Sequence, residues 1–208
     1  MKGANSLQLF IQKVQAAKAE YLSPITLVLS QGLHILSGKN GSGKSTLLKL
    51  VSGVIPLASG NISLVKHGVE YISPSYKSRI GYAPQEIAVY DEMRAVHYLR
   101  YVGRMKLIPE DLLEGRIEQV ITELNINTWC SSNIGQLSMG QKRMLLFAQS
   151  ILADPDILLL DETLEALDIE QQSHLLGILH KSAKHSIILV ASHRKEQWTD
   201  HATQFIEL

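Results

Sequence analysis

The sequence predicts an α/β fold built on a mostly parallel sheet with an inserted helical segment, and three observations carry that expectation. The last third of the chain alternates helix and strand: a helix from about Met139 to Ala153, a strand at Ile157 to Asp161, a helix near Ile169 to Lys181 and a strand at Ser186 to Ser192. Such alternation argues for parallel strands covered by helices. Ile157 to Leu160 is also apolar at every position, as a strand buried on both faces requires. Finally, Gly38-Lys39-Asn40-Gly41-Ser42-Gly43-Lys44-Ser45-Thr46 follows the pattern G-x-x-x-x-G-K-[ST] between a strand-like run, Leu33 to Ser37, and a helix-like run, Thr46 to Val51.

The elements follow in order. Met1 to Ser6 lead into a mixed polar stretch with no sustained apolar core, so no signal peptide is expected. Residues 7 to 82 hold short apolar or alternating segments at Leu7 to Ile11, Ile25 to Leu29, Leu33 to Ser37, Ile62 to Val65, Tyr71-Ile72 and Arg79 to Tyr82. Gly, Ser, Pro and Asn separate them, which reads as strands and turns around the first helix. From Asp91 the spacing becomes helical, first at Val96, Leu99, Val102 and Met105 to Leu107. After Pro109, with Glu110 and Asp111 in the first turn, it continues at Leu113, Ile117, Val120, Ile121 and Leu124. This stretch is the helical insert. No internal repeat, low-complexity tract or long linker interrupts the chain.

Composition narrows the class. The chain has 208 residues, 45% hydrophobic and 19% charged, which suits one compact domain or one domain with a small subdomain. Twenty basic and twenty acidic residues give a formal net charge of zero, so nothing points to a nucleic-acid surface or a polybasic membrane anchor. A single cysteine, Cys130, excludes an internal disulfide framework and points to a reducing, cytosolic compartment. The longest apolar runs, Ile157 to Leu160 and Ile187 to Ala191, are too short to cross a bilayer, so another chain must supply any membrane span.

Three segments carry chemistry. In the glycine-rich loop Gly38 to Thr46, backbone N–H groups turn inward toward anionic oxygens, Lys44 reaches the β and γ phosphates, and the Ser45 hydroxyl is aimed at Mg²⁺. The helix that follows presents its positive end to the same place. At the carboxyl end of the strand Ile157 to Leu160, Asp161 is placed to hold Mg²⁺, and Glu162 to orient or deprotonate an attacking water. In Leu137-Ser138-Met139-Gly140-Gln141-Lys142-Arg143, Ser138 precedes a strongly helical run, so its hydroxyl, the glycine amide and the helix N-terminus form a second anion site. The same serine also reads as an ordinary helix N-cap.

With these segments in hand, Leu137-Ser138-Met139-Gly140-Gln141 resembles the signature Leu-Ser-Gly-Gly-Gln of the ATP-binding subunits of ABC transporters, differing at Met139. The resemblance covers essentially the whole sequence, with motifs in the family's order and spacing. It implies a P-loop NTPase core with an N-terminal antiparallel β subdomain and an inserted α-helical subdomain. The core with its β subdomain would span residues 1–85 and 136–208, and the helical subdomain 86–135. ATP and Mg²⁺ are the implied cofactors, with Ser138, Gly140 and Gln141 on the nucleotide and Ser45, Gln85 and Asp161 at the metal.

Further roles rest on the same resemblance. Tyr82-Ala83-Pro84-Gln85 resembles the loop whose glutamine contacts Mg²⁺ and the attacking water. Ala191-Ser192-His193-Arg194 resembles the segment whose histidine contacts the γ-phosphate, and Lys44, Gln85, Glu162 and His193 form the implied catalytic set. Ala166-Leu167-Asp168 resembles the end of the loop that touches the partner subunit, where Thr163, Leu164 and Glu165 stand in place of the usual Pro-Thr-Ser. The family's adenine-stacking aromatic falls near Ala16 or Ala17, with Tyr21 the nearest aromatic.

The implied partners are a membrane-spanning permease subunit and a second ATP-binding subunit, identical or a paralogue, with no nucleic acid. Tyr90, Met93, Tyr98 and Tyr101 of the helical insert are candidate anchors for the permease. The implied location is the cytoplasmic face of a membrane, and the implied function is ATP hydrolysis that powers transport through the permease. Two other classes stay open: a soluble ABC-type ATPase acting on ribosomes or DNA, and a P-loop kinase or GTPase. The former usually carries tandem cassettes or a long coiled-coil insert, and the latter has no use for Leu137 to Gln141.

Overall fold

The computed structural model describes residues 7–17, 23–72, 74–165 and 167–208. Two sheets organise them. An antiparallel sheet is formed by β1 (Leu7–Ala16), β2 (Ile25–Ser30), β4 (Leu57–Lys66) and β5 (Val69–Ile72), in the order β2-β1-β4-β5. Its register opposes Leu9 to Leu29 on one side and to Leu64 on the other. Leu7, Leu9 and Ile11 are buried while Gln8 and Phe10 between them are only partly covered, the period-2 pattern of a sheet with one covered face.

The second sheet is parallel throughout. It consists of β3 (Gly32–Ser37), β6 (Ile80–Ala83), β7 (Ile157–Asp161), β8 (Ile187–Ala191) and β9 (Gln204–Glu207), in the order β6-β7-β8-β3-β9. Alternate residues of its strands belong to two different cores. Leu36, Ile157, Leu159, Ile187 and Leu189 pack with α1 (Lys44–Ser52) and with the covered face of the antiparallel sheet. Ile35, Leu158, Leu160, Ile188 and Val190 pack on the opposite face, against α2 (Ala95–Met105), α3 (Glu110–Glu123), α4 (Met139–Ile151) and α5 (Ile169–Ser182). Burial on both faces is why these strands read as uninterrupted apolar runs.

Helix α3 follows the expected spacing, with Leu113, Ile117 and Val120 buried; in α2 Leu99 is buried, but Met105 and Leu107 of the expected apolar run are exposed, and Leu107 lies beyond the helix. The segment carrying them is tied where it leaves and rejoins the core. Ile134 N donates to Met93 O at 2.9 Å, Gly135 N to Asp91 O at 2.9 Å, and Ala95 N to Ser132 O at 3.0 Å. Asp156, just before β7, accepts from Lys66 at 2.7 Å and Arg79 at 2.8 Å, which locks the antiparallel sheet to the parallel one.

Several boundaries differ from the sequence reading. β1 runs on to Ala16 rather than ending at Ile11, because a register shift between Gln12 and Gln15 carries it past its polar middle. Helix α4 ends at Ile151, and β8 excludes Ser186 and Ser192. Strand β9 has no counterpart in the sequence reading. Tyr21 and Ala166 lie outside the described residues. Ala16 is buried and Ala17 exposed, so neither of these two positions offers an aromatic face.

Candidate functional site

The site forms where β3, β7 and β8 end. At the tip of β3 the chain turns through Gly38, Gly41 and Gly43, whose φ values are 150°, 82° and 102°. A Cβ at Gly38 would stand 2.6 Å from the Leu208 carbonyl oxygen and 2.7 Å from Ser42 Oγ, so the loop admits no side chain there. Gly43 occupies the N-cap of α1 without a side-chain cap, leaving the helix's leading amides free of side-chain partners. Lys44 is buried and turns back over the loop, its Nζ donating to Gly38 O at 2.8 Å and Lys39 O at 3.1 Å.

Strand β7 brings the carboxylates. Ser45 Oγ donates to Asp161 Oδ1 at 2.9 Å, while the buried Asp161 Oδ2 has no hydrogen-bond partner among the described residues. Burial raises the Asp161 pKa, the Ser45 hydrogen bond opposes that shift, and the neighbouring Glu162 charge adds to it. An oxygen pair of this kind, one hydroxyl and one carboxylate with an unused buried oxygen, fits the donor set Mg²⁺ selects. Burial, with the Asp161 charge, also pushes the Tyr82 phenol well above its ordinary range.

Glu162 follows in the left-handed region at φ 49°, its N–H held by Ala191 O at 3.0 Å. A non-glycine residue held there is strained, and β8 fixes it. Gln85 Nε2 donates to Glu162 Oε2. His193, just past β8, places Nδ1 at 3.6 Å from Glu162 Oε1 and 2.6 Å from Glu165 Oε1. Ligand-capable atoms of Glu162, Glu165 and His193 lie within 4.8 Å of one another. Arg143 Nη1 donates to Pro84 O at 3.0 Å, bracing the loop that carries Gln85 from α4.

These elements enclose one cavity of about 340 Å³, lined by Asn40, Gly41, Gly43, Lys44, Ser45 and Thr46 together with Gln85, Glu162 and His193. Gly38, Lys39 and Ser42 shape the loop behind it, and Asp161 meets it through Ser45. Residues from four distant stretches of sequence thus converge on one space. A larger cavity of about 780 Å³, between Trp129 and Asp168, has none of this chemistry.

Ser138, Gly140 and Gln141 do not line the phosphate-loop cavity. They begin α4, where Ser138 Oγ accepts from Gln141 N at 3.2 Å and Gln141 Oε1 accepts from Ser138 N at 2.9 Å. The serine is therefore a helix cap in this chain, and the Gln141 side chain completes the capping box. Met139 beside them is 62% exposed. Glu165 is the site residue that motif reading did not place: it enters as a departure from a pattern, and its contact with His193 spans distant sequence.

Comparison with known proteins bears on the family and the fold. The family described as ABC transporter matches residues 22–165. An ABC transporter ATP-binding/permease protein of Mycobacterium tuberculosis is 30% identical over 177 residues, covering 83% of this chain and 20% of that protein. A linearmycin resistance ATP-binding protein of Bacillus subtilis is 28% identical over 163 residues, 78% of this chain and 52% of that protein. The chain thus spans about half or less of the length of these relatives. A solved structure described as the ATP-binding subunit of an ABC transporter superposes with a TM-score of 0.83 at 24% identity, over 96% of this chain and 85% of that one, which shows the shared fold.

Proposed function

The chain belongs to the ABC transporter family as an ATP-binding domain, an ATPase of that family, and on that premise we propose how its residues divide the work of ATP hydrolysis. The reading rests on one observation: Lys44, Ser45, Gln85, Glu162 and His193 line a single cavity of about 340 Å³. Displacement of a γ-phosphoryl group by water needs positioning and charge neutralisation more than covalent chemistry. The loop Gly38 to Thr46 and the start of α1 hold the phosphates, and Lys44 exchanges its loop carbonyls for β and γ oxygens. Ser45 and Asp161, with Gln85 alongside, would hold Mg²⁺, whose charge offsets that of the phosphates. Glu162, oriented by Gln85 and by its fixed backbone, draws the proton from the attacking water. His193 closes the cavity on the γ-phosphate side.

Ser138 and Gly140 serve a second chain in this proposal. Ser138 caps α4 and Gly140 lies in its first turn, both away from their own phosphate-loop cavity and beside the exposed Met139. Two ATP-binding chains, identical or paralogous, would clamp two nucleotides head to tail, and hydrolysis would reopen the clamp. Among the described residues no helix is long and apolar enough to cross a membrane. A separate membrane-spanning permease would then supply the path, docking near the segment 86–135, where Tyr90 and Tyr101 stand exposed in edge-to-face contact at 6.3 Å.

Phosphate release by the purified chain and its Lys44→Ala variant tests the catalytic reading. The expected result is Mg²⁺-dependent hydrolysis of ATP, lost with ATP affinity in the variant. Equal hydrolysis by both would overturn it.

A further inference from the structure

Glu165, in the loop after β7, stands behind the cavity against His193, at a position with no part in the division of labour just described. Its side chain is 21% exposed, and its Oε1 lies 2.6 Å from His193 Nδ1, a full ångström closer than Glu162 Oε1. That oxygen is buried and makes no aligned hydrogen bond among the described residues, so its approach to His193 is a close polar contact. Two lone pairs at 2.6 Å would repel, so an approach this close requires a proton on one of the two groups. A proton on Nδ1 suits an ionised carboxylate.

The consequence is a matter of donor inventory. A neutral imidazole carries one N–H; with that proton on Nδ1, Nε2 is a lone pair and cannot donate to an anionic phosphate oxygen. Only the doubly protonated ring offers an N–H on both sides, and imidazole gains and loses that second proton near neutrality.

We infer that Glu165 is a positioning residue that fixes one proton of His193 on Nδ1, so that the ring grips a nucleotide's terminal phosphate through Nε2 only as the cation. The inference deepens the reading of this cavity as a γ-phosphate site and rests on it. A neutral side chain at position 165 releases the ring to place its one proton on Nε2 and to donate without the second proton. The charges facing this pair come from every wall. Glu162 stands beside it after β7, with Arg143 from α4, the adjacent Arg194 and, across the cavity, Lys44 from α1. Burial and Glu162 raise the Glu165 pKa, and His193, Arg194 and Arg143 hold it down.

The test measures equilibrium binding of ATP with Mg²⁺ by calorimetry from pH 6 to 8.5, in a Glu162→Gln background that stops turnover. With Glu165 present, affinity falls roughly tenfold across this range, the worth of one charged hydrogen bond. With Glu165→Gln or Glu165→Ala the fall is largely abolished. Nitrogen chemical shifts of His193 in the nucleotide-free chain show Nδ1 protonated with Glu165 and Nε2 protonated in Glu165→Ala. Identical pH dependence in all three proteins, or an Nε2-protonated ring beside Glu165, overturns the inference while leaving the phosphate site intact. Failure of every protein to bind ATP at any pH overturns both.

Discussion

Ser45 and Asp161 stand 116 residues apart in sequence and are joined by a 2.9 Å hydrogen bond from Oγ to Oδ1. That bond ties the first turn of α1 to the carboxyl end of β7 and sets two oxygen donors side by side, with Asp161 Oδ2 unpartnered among the described residues.

Replacing Ser45 by Ala removes both a proposed metal donor and the one hydrogen bond the Asp161 side chain makes among the described residues. A buried carboxylate left without its donor costs about 1–3 kcal/mol of stability, read from denaturant midpoints. ATP hydrolysis falls at least about a hundredfold at saturating Mg²⁺, equivalent to roughly 2.7 kcal/mol of barrier. Unchanged turnover would remove Ser45 from the metal site.

Ser138→Ala separates two roles. Loss of the α4 cap costs about 1 kcal/mol of folding stability in the isolated chain. The proposed second role predicts a further loss: ATP-dependent association between chains weakens even at temperatures where the variant is fully folded. Sedimentation with ATP checks this, and normal association would leave Ser138 as a cap alone.

Tyr98 anchors α2 to α4, its hydroxyl donating to Gln149 Oε1 at 2.5 Å. Burial first, and then Tyr90 and Tyr101, push its pKa from 10.0 to about 12. A group whose folded pKa is raised contributes stability that is present below the unfolded value and lost as pH climbs to the folded one. Stability therefore declines between pH 10 and 12, by about 1.4 kcal/mol per unit or roughly 3 kcal/mol in all from this group. Tyr98→Phe is less stable at neutral pH by about 1 kcal/mol, through the lost hydrogen bond, and shows a shallower alkaline decline. Parallel curves for the two proteins would contradict the assignment.

Much of this arrangement is legible in the residues themselves. Ile157 to Leu160 announces a strand covered on both faces, and Gly38 to Thr46 announces a phosphate cradle whose glycines sit at positive φ. Strand β9 is not legible: Gln204, Phe205, Ile206 and Glu207 are too short and polar a run to stand out, and pairing with β3 creates the strand. Gln85 carries no local signal beyond its resemblance to a family loop; its contact with Glu162 arises because β6 and β7 are neighbours. The approach of Glu165 to His193 has no sequence signature, since it depends on how the loops after β7 and β8 meet. In Ser138 the two readings left open by the sequence coexist, a cap in the single chain and a proposed anion site in the pair.

The most direct test of the composite site is the mass and nucleotide content of Glu162→Gln in ATP and Mg²⁺, measured by sedimentation with bound-nucleotide analysis. With the candidate base removed, the clamp cannot reopen by hydrolysis, and the account predicts a species of two chains holding two unhydrolysed ATP molecules. A variant that stays single and releases phosphate at the unmodified rate would contradict both the role of Glu162 and the clamp.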